Sequence, residues 1–219
     1  MASVRTIGIN TLVAAVIAIT AAAFAYPPEP APVPKAWEFD VDFGPLRTAS
    51  CEVTKLGAEG VRELQPMAFF YMTYTVTNHT GQDLLFAPSF ELSTDKGEII
   101  RAGRHVPREA TQELLRRLDN VFLEDQINIL GKLQQGEEYA KEGLIVWPIN
   151  DVTVDEVVVY AAGFSGETDT LEWEDPESGE MIKVILHKTY EQRFATPGTI
   201  DPNSGILYAP KGRARWIMR

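Results

Sequence analysis

Gly163-Phe-Ser165-Gly-Glu167 follows a hydrophobic run much as a nucleophile elbow follows its strand. A Gly-x-Ser-x-Gly elbow needs a second glycine where Glu167 stands, and then a helix whose first amides help to hold an oxyanion. Thr168-Asp-Thr-Leu-Glu172 reads as strand or loop instead. Ser165, with His187 as its one candidate base, is therefore expected to sit in a Gly/Ser turn leaving a strand, and serine hydrolysis is the remote alternative. His79, His105 and His187 never pair at metal-ligand spacing and have no neighbouring cysteine, which gives zinc no support. Glu172, Glu174, Asp175, Glu177 and Glu180 crowd one segment around Gly179, the oxygen-rich chemistry calcium uses, but without the spacing of a recognised loop. Asp40 and Asp42 lie on one face of one strand, not across a cleft as paired glycosidase carboxylates must. Trp37 and Trp147 keep step with apolar neighbours and read as core. Trp173, between two glutamates, and Trp216, beside Arg213, Arg215 and Arg219, are candidates for contact with a partner, because interfaces favour aromatic residues and arginine. No catalytic, metal or cofactor residue is assigned.

The composition narrows the partners further. A chain of 219 residues with 45% hydrophobic side chains can bury one good core, and its net charge of -11 opposes any phosphate-binding surface, which excludes nucleic acid as the main partner. Arg5, an apolar run over Thr11–Ala23 and the small-x-small Ala23-Phe-Ala25 have the form of an export signal, giving a signal peptide over 1–25 cleaved after Ala25. The apolar stretch is about 15 residues, short of the roughly 20 a membrane-crossing helix needs, so no stable membrane insertion is expected after cleavage. The expected location is periplasmic or extracellular. The single cysteine, Cys51, has no partner for an internal disulfide and reads as a small hydrophobe in a strand.

These residues must be positioned by strands. Tyr26–Lys35 is proline-rich and reads as a semi-rigid polyproline II spacer before a single domain over 36–219. From Trp37 to Phe43 apolar and acidic residues alternate strictly, the period of a half-buried strand. Leu46–Val53 gives a second strand, followed by a Gly- and Glu-rich loop over Gly57–Pro66. Ala68–Thr77 is the clearest strand, with Phe70, Met72, Tyr74 and Val76 on one face. Asn78-His-Thr-Gly81 turns the chain into short strands at Leu84–Pro88, Phe90–Thr94 and Glu98–Arg101, the last two joined by Asp95-Lys-Gly97. Pro107, then Ala110, Leu114 and Leu118 at helical spacing, predict one amphipathic helix over about 107–119, packed on an end or face of the sheets. Strands are then expected at Gln126–Leu133, Gly143–Trp147 and Glu156–Ala162, the last as a central strand covered on both sides. A long hairpin over Asp169–Trp173 and Met181–Tyr190 follows, and Arg213–Met218 alternates again as an edge strand.

Tyr71-x-x-Tyr74-x-Val76-x-Asn78-x-Thr80-Gly81, Gly131-x-Leu133-x-x-Gly136-Glu137, Gly143–Trp147 and Gly163–Glu167 together resemble a group of uncharacterised exported bacterial proteins. Leu186-x-Lys188-Thr189 and the closing Trp216–Arg219 resemble the same group. More loosely, the Asn-x-Thr-Gly corner and the later Leu-x-x-Gly are similar to small exported immunoglobulin-like sandwiches. The resemblance implies an architecture and no activity. The expectation is a mainly β, immunoglobulin-like antiparallel β-sandwich with one inserted helix, acting without catalysis and without a cofactor as a structural or protein-interaction module of the cell envelope. The alternative is an extracytoplasmic domain that binds a glycan or calcium.

Overall fold

The computed structural model describes residues 27–57 and 61–219; the leader expected over 1–25 lies outside the described residues. Half of the chain's architecture follows from the period-two segments. The strands are β1 (Asp40–Phe43), β2 (Leu46–Leu56), β3 (Arg62–Thr77), β4 (Leu84–Phe86), β5 (Ser89–Thr94) and β6 (Ile99–Arg101), then helix α1 (Arg108–Leu118). After it come β7 (Leu123–Asp125), β8 (Gly131–Leu133), β9 (Lys141–Pro148), β10 (Glu156–Ala162), β11 (Thr168–Glu174), β12 (Met181–Ala195), β13 (Leu207–Tyr208) and β14 (Arg215–Met218). The first sheet has the order β13-β2-β3-β9-β7, with β1 also on β3; the second has β11-β12-β10-β5-β6, with β14 also on β12. All pairings in them are antiparallel except β7 on β9. The protein is therefore mainly β, with several antiparallel sheets and one helix.

Alternation places one apolar face of each sheet against the other. Phe70, Met72, Tyr74, Val76, Ile145 and Trp147 from the first sheet meet Phe90, Leu92, Val157, Val159, Ala161 and Phe194 from the second in one buried cluster. The outer face of the first sheet is apolar too: Ala49, Cys51, Val53, Phe69, Leu144 and Val146 form a second cluster with Ala110 and Leu114 of α1. The helix thus covers a face, and β9 is the strand enclosed on both sides, which explains its continuous Leu144-Ile-Val-Trp147 run. The expectation that β10 is enclosed in this way holds only in part: Val158 on its outer side is buried, but Glu156 and Tyr160 on that side are only partly so. Burial of Cys51 raises its thiol pKa, as expected for a small core residue.

Other departures have local causes. The expected loop from Gly57 to Pro66 gives way to strand from Arg62 onward, because β2 and β3 keep pairing out to Leu56 opposite Arg62. Of the expected strand over Gln126–Leu133 only Gly131–Leu133 forms, as β8; Gln126–Ile129 is a turn, where the Asp125 carboxylate accepts the amides of Ile127 and Asn128 at 2.8 and 2.9 Å. Trp37–Phe43 alternates as expected, but only Asp40–Phe43 joins β3; before it Phe39 N–H donates to Phe164 O and Gly166 N–H to Trp37 O, an isolated bridge to the segment after β10. The Asn78 corner behaves as its residues demand. Asn78 is fully buried, donates to Leu133 O at 2.8 Å and accepts from Thr80 N–H and Oγ1, while Leu133 points into the core.

Candidate functional site

The motif at Gly163–Glu167 is a structural corner. Gly163 has φ +88°, and a Cβ there would stand 2.7 Å from Ala87 O; a Cβ on Gly166 would stand 2.4 Å from the Trp37 indole nitrogen. Phe164 is buried with ring centroids 5.4–5.7 Å from those of Phe43, Tyr74, Phe86 and Phe90. Ser165 is buried, its Oγ accepting the Glu167 amide at 3.2 Å, whereas His187 is exposed on β12 and no hydrogen bond joins the two. The glycines are there for close backbone approach and one left-handed turn.

Glu167 leads from this corner into a buried charge cluster at the base of the β11–β12 hairpin. Lys188 Nζ, on a side chain only 3% exposed, lies 2.7 Å from Glu38 Oε2 and 3.3 Å from Glu167 Oε2, with the Trp216 ring centroid 5.2 Å away. Burial opposes the ammonium charge, but the two carboxylates outweigh it and raise the Lys188 pKa. The other oxygen of Glu167 accepts Ala31 N–H at 2.8 Å. This bond leads the causes that hold Glu167 below the ordinary glutamate range, with Lys188 adding to it. The proline-rich segment is thus tied down at Ala31 and forms, with Trp216, Met218, Lys188 and Glu191, the wall of a cleft of about 950 Å³.

The sign of the pH dependence follows. A depressed carboxylate stabilises the fold above its unfolded value, 4.5 for glutamate, and that contribution is lost as pH falls through the lower folded value. Glu167→Gln is therefore expected to be less stable than wild type at pH 7, with the gap closing towards pH 3. Denaturant midpoints of both proteins across this range check it, and a gap independent of pH would contradict the role of the Glu167 charge.

The sequence-derived contact residues separate on inspection. Trp216 faces inward on β14, half-buried and edge-on to Tyr190 at 5.4 Å. Arg215 donates to Glu191 Oε1 at 3.0 Å, and Arg219 pairs with Glu91 Oε2 at 2.5 Å while its guanidinium lies 4.2 Å from the Tyr160 ring centroid. With Arg101, 3.1 Å from Glu91, these residues make a row of opposite charges across the outer face of the second sheet. Arg213 is exposed. The structure brings Arg215, Trp216 and Arg219 together on or beside β14 and leaves Trp173 apart, on the hairpin.

That hairpin contains a feature the sequence reading overlooked. In the observed register Leu171 pairs with Val184, Trp173 with Ile182 and Asp169 with Leu186, so Leu171, Trp173, Ile182, Val184 and Leu186 share one face. It is the same face of β12 that carries Lys188, Tyr190 and Phe194 into the sandwich. None of these five apolar side chains belongs to either core cluster, and Trp173 and Val184 are each 38% exposed. The period-two signal was present in Leu171-Glu-Trp173 and Ile182-Lys-Val-Ile-Leu186, but the acidic neighbours drew the reading towards a solvated tip.

At that tip Asp175 is engaged within its own turn, accepting Ser178 Oγ–H at 2.6 Å and Glu177 N–H at 3.2 Å. Among the described residues no three His, Cys, Asp or Glu side chains are grouped to hold a metal ion, and no helix is long and apolar enough to cross a membrane. Comparison of the chain with protein-family models, with curated proteins and with solved structures finds no match.

Proposed function

We propose that this chain is an exported, non-catalytic protein-interaction module of the cell envelope. The observation that carries the reading is the apolar face of the β11–β12 hairpin, whose side chains belong to neither core cluster of the described residues. An isolated two-stranded hairpin is marginal in water, and a contiguous apolar strip on it is stabilised when another surface covers it. Trp173, opposite Ile182 at the end of the strip nearest the hairpin tip, supplies an aromatic anchor of the kind such contacts use. The immunoglobulin-like expectation gains support from the order β2-β3-β9 in one sheet and β6-β5-β10-β12 in the other, which follows the A-B-E and C′-C-F-G arrangement. The parallel β7 departs from it. Export is supported by the leader read over 1–25.

A glycan- or calcium-binding role for the same hairpin has less support, because the turn uses the oxygens of Asp175 internally. Tagged full-length chain, recovered from its own host's envelope fraction, is expected to carry a stoichiometric protein partner. Trp173→Glu combined with Val184→Glu is expected to lose that partner while stability changes by no more than about 0.5 kcal/mol, both sites being exposed. Retention of the partner by this variant would overturn the assignment of the face.

A further inference from the structure

Resting on that reading, the structure assigns the hairpin a particular kind of partner: an extended segment with alternating apolar and basic side chains, added as a strand beside Met181–Leu186 of β12. On one edge β12 pairs first with β11 and then with β10; on the other it pairs with β14 over Lys188–Glu191. His187 and Arg219 exchange both backbone bonds, and Lys188 N–H donates to Glu167 on the opposite edge. Strict alternation along an antiparallel ladder then directs the amides and carbonyls of Met181, Lys183 and Ile185 to the β14 side. No described strand pairs there, and the three side chains are exposed. Among the described residues this stretch of β12 has no partner on that side, and an incoming strand there extends the ladder that β14 begins.

The competing edge, on β11, is blunted: Thr170 N–H donates to the Asp169 carboxylate at 2.7 Å. Charge then selects the occupant. Residues 168–187 carry six carboxylates, Asp169, Glu172, Glu174, Asp175, Glu177 and Glu180, against the single lysine Lys183, which is tied to Glu172 at 2.6 Å. A second copy of the chain would bring two acidic hairpins together, and an anionic membrane surface is repelled in the same way. A strand with apolar residues on the Leu171–Trp173–Val184 side and lysine or arginine on the other satisfies backbone, face and rim together.

The test uses the mature full-length chain with a blocked seven-residue peptide alternating valine and lysine, and a second peptide with glutamate in place of lysine. Amide exchange at Met181, Lys183 and Ile185 is expected to slow roughly fivefold or more with the basic peptide, while amides of the opposite edge are unaffected. The acidic peptide is expected to bind roughly tenfold more weakly or worse. Lys183→Pro removes an edge donor, and Val184→Lys, at an exposed position, leaves the fold intact while placing a like charge on the face; both are expected to abolish protection. Protection without peptide that rises with protein concentration would overturn the proposal in favour of self-association. Equal binding of the two peptides, or none at these amides, would overturn it too. If the envelope partner is nevertheless retained through Trp173 and Val184, the interaction reading stands and only strand addition fails.

Discussion

Lys188→Ala is expected to cost about 3 kcal/mol of folding stability. The loss arises less from broken attraction than from what remains: Glu167, 6% exposed, keeps its charge without a counter-ion, while Glu38, 25% exposed, can turn to water. The consequence spreads, because Glu167 holds Ala31 and immediately precedes β11. Combining Lys188→Met with Glu167→Gln is expected to recover most of the loss, since the amide oxygen of glutamine can still accept Ala31 N–H and no buried charge is left unpaired. Urea unfolding of the two variants and wild type measures both effects. A double variant as unstable as Lys188→Ala would contradict the electrostatic account.

Phe164→Ala is expected to have the larger effect, about 3–5 kcal/mol, as a large side chain lost from a close-packed interior. Phe164 lies where the two sheets and the β4–β8 pair meet, with rings of Phe43, Tyr74, Phe86 and Phe90 around it. Gly163 at φ +88° and Gly166 beneath Trp37 pin the backbone on either side, so the surrounding rings have little freedom to close the cavity. Phe164→Leu, which keeps much of the volume, is expected to cost about half as much. A loss for Phe164→Ala well below about 3 kcal/mol would mean that the site collapses freely and that the corner is not rigid.

The contrast between Gly163–Glu167 and the hairpin shows what the sequence carried. Alternation named the faces correctly: Phe70, Met72, Tyr74 and Val76 are core, Trp147 is buried, and Ala110 and Leu114 form the packed side of α1. It did not say which face meets which layer, so the doubly covered strand was assigned to β10 when the helix lies over β9. Ser165 between two glycines looked chemical because a spacing records residue type without geometry; the glycines serve Ala87 and Trp37. The Pro-rich segment read as a spacer because its anchor is Glu167, 136 positions away. The buried Lys188 cluster was equally invisible, being assembled from β12, the segment before β1 and the corner after β10. Trp173 was picked out for its exposure, but its role depends on the β11–β12 register, which places four apolar partners beside it.

The claim that the hairpin's apolar face is covered by a protein is tested most directly by photocrosslinking in the native host. A photoreactive residue at Val184, 38% exposed on that face, is compared with one at Ile99, 61% exposed on β6 at the far edge of the same sheet. The account predicts a discrete adduct from position 184 that disappears with Trp173→Glu, and none from position 99. Adducts equal at the two positions, or none from 184 when the protein is at its natural abundance in the envelope, would contradict it.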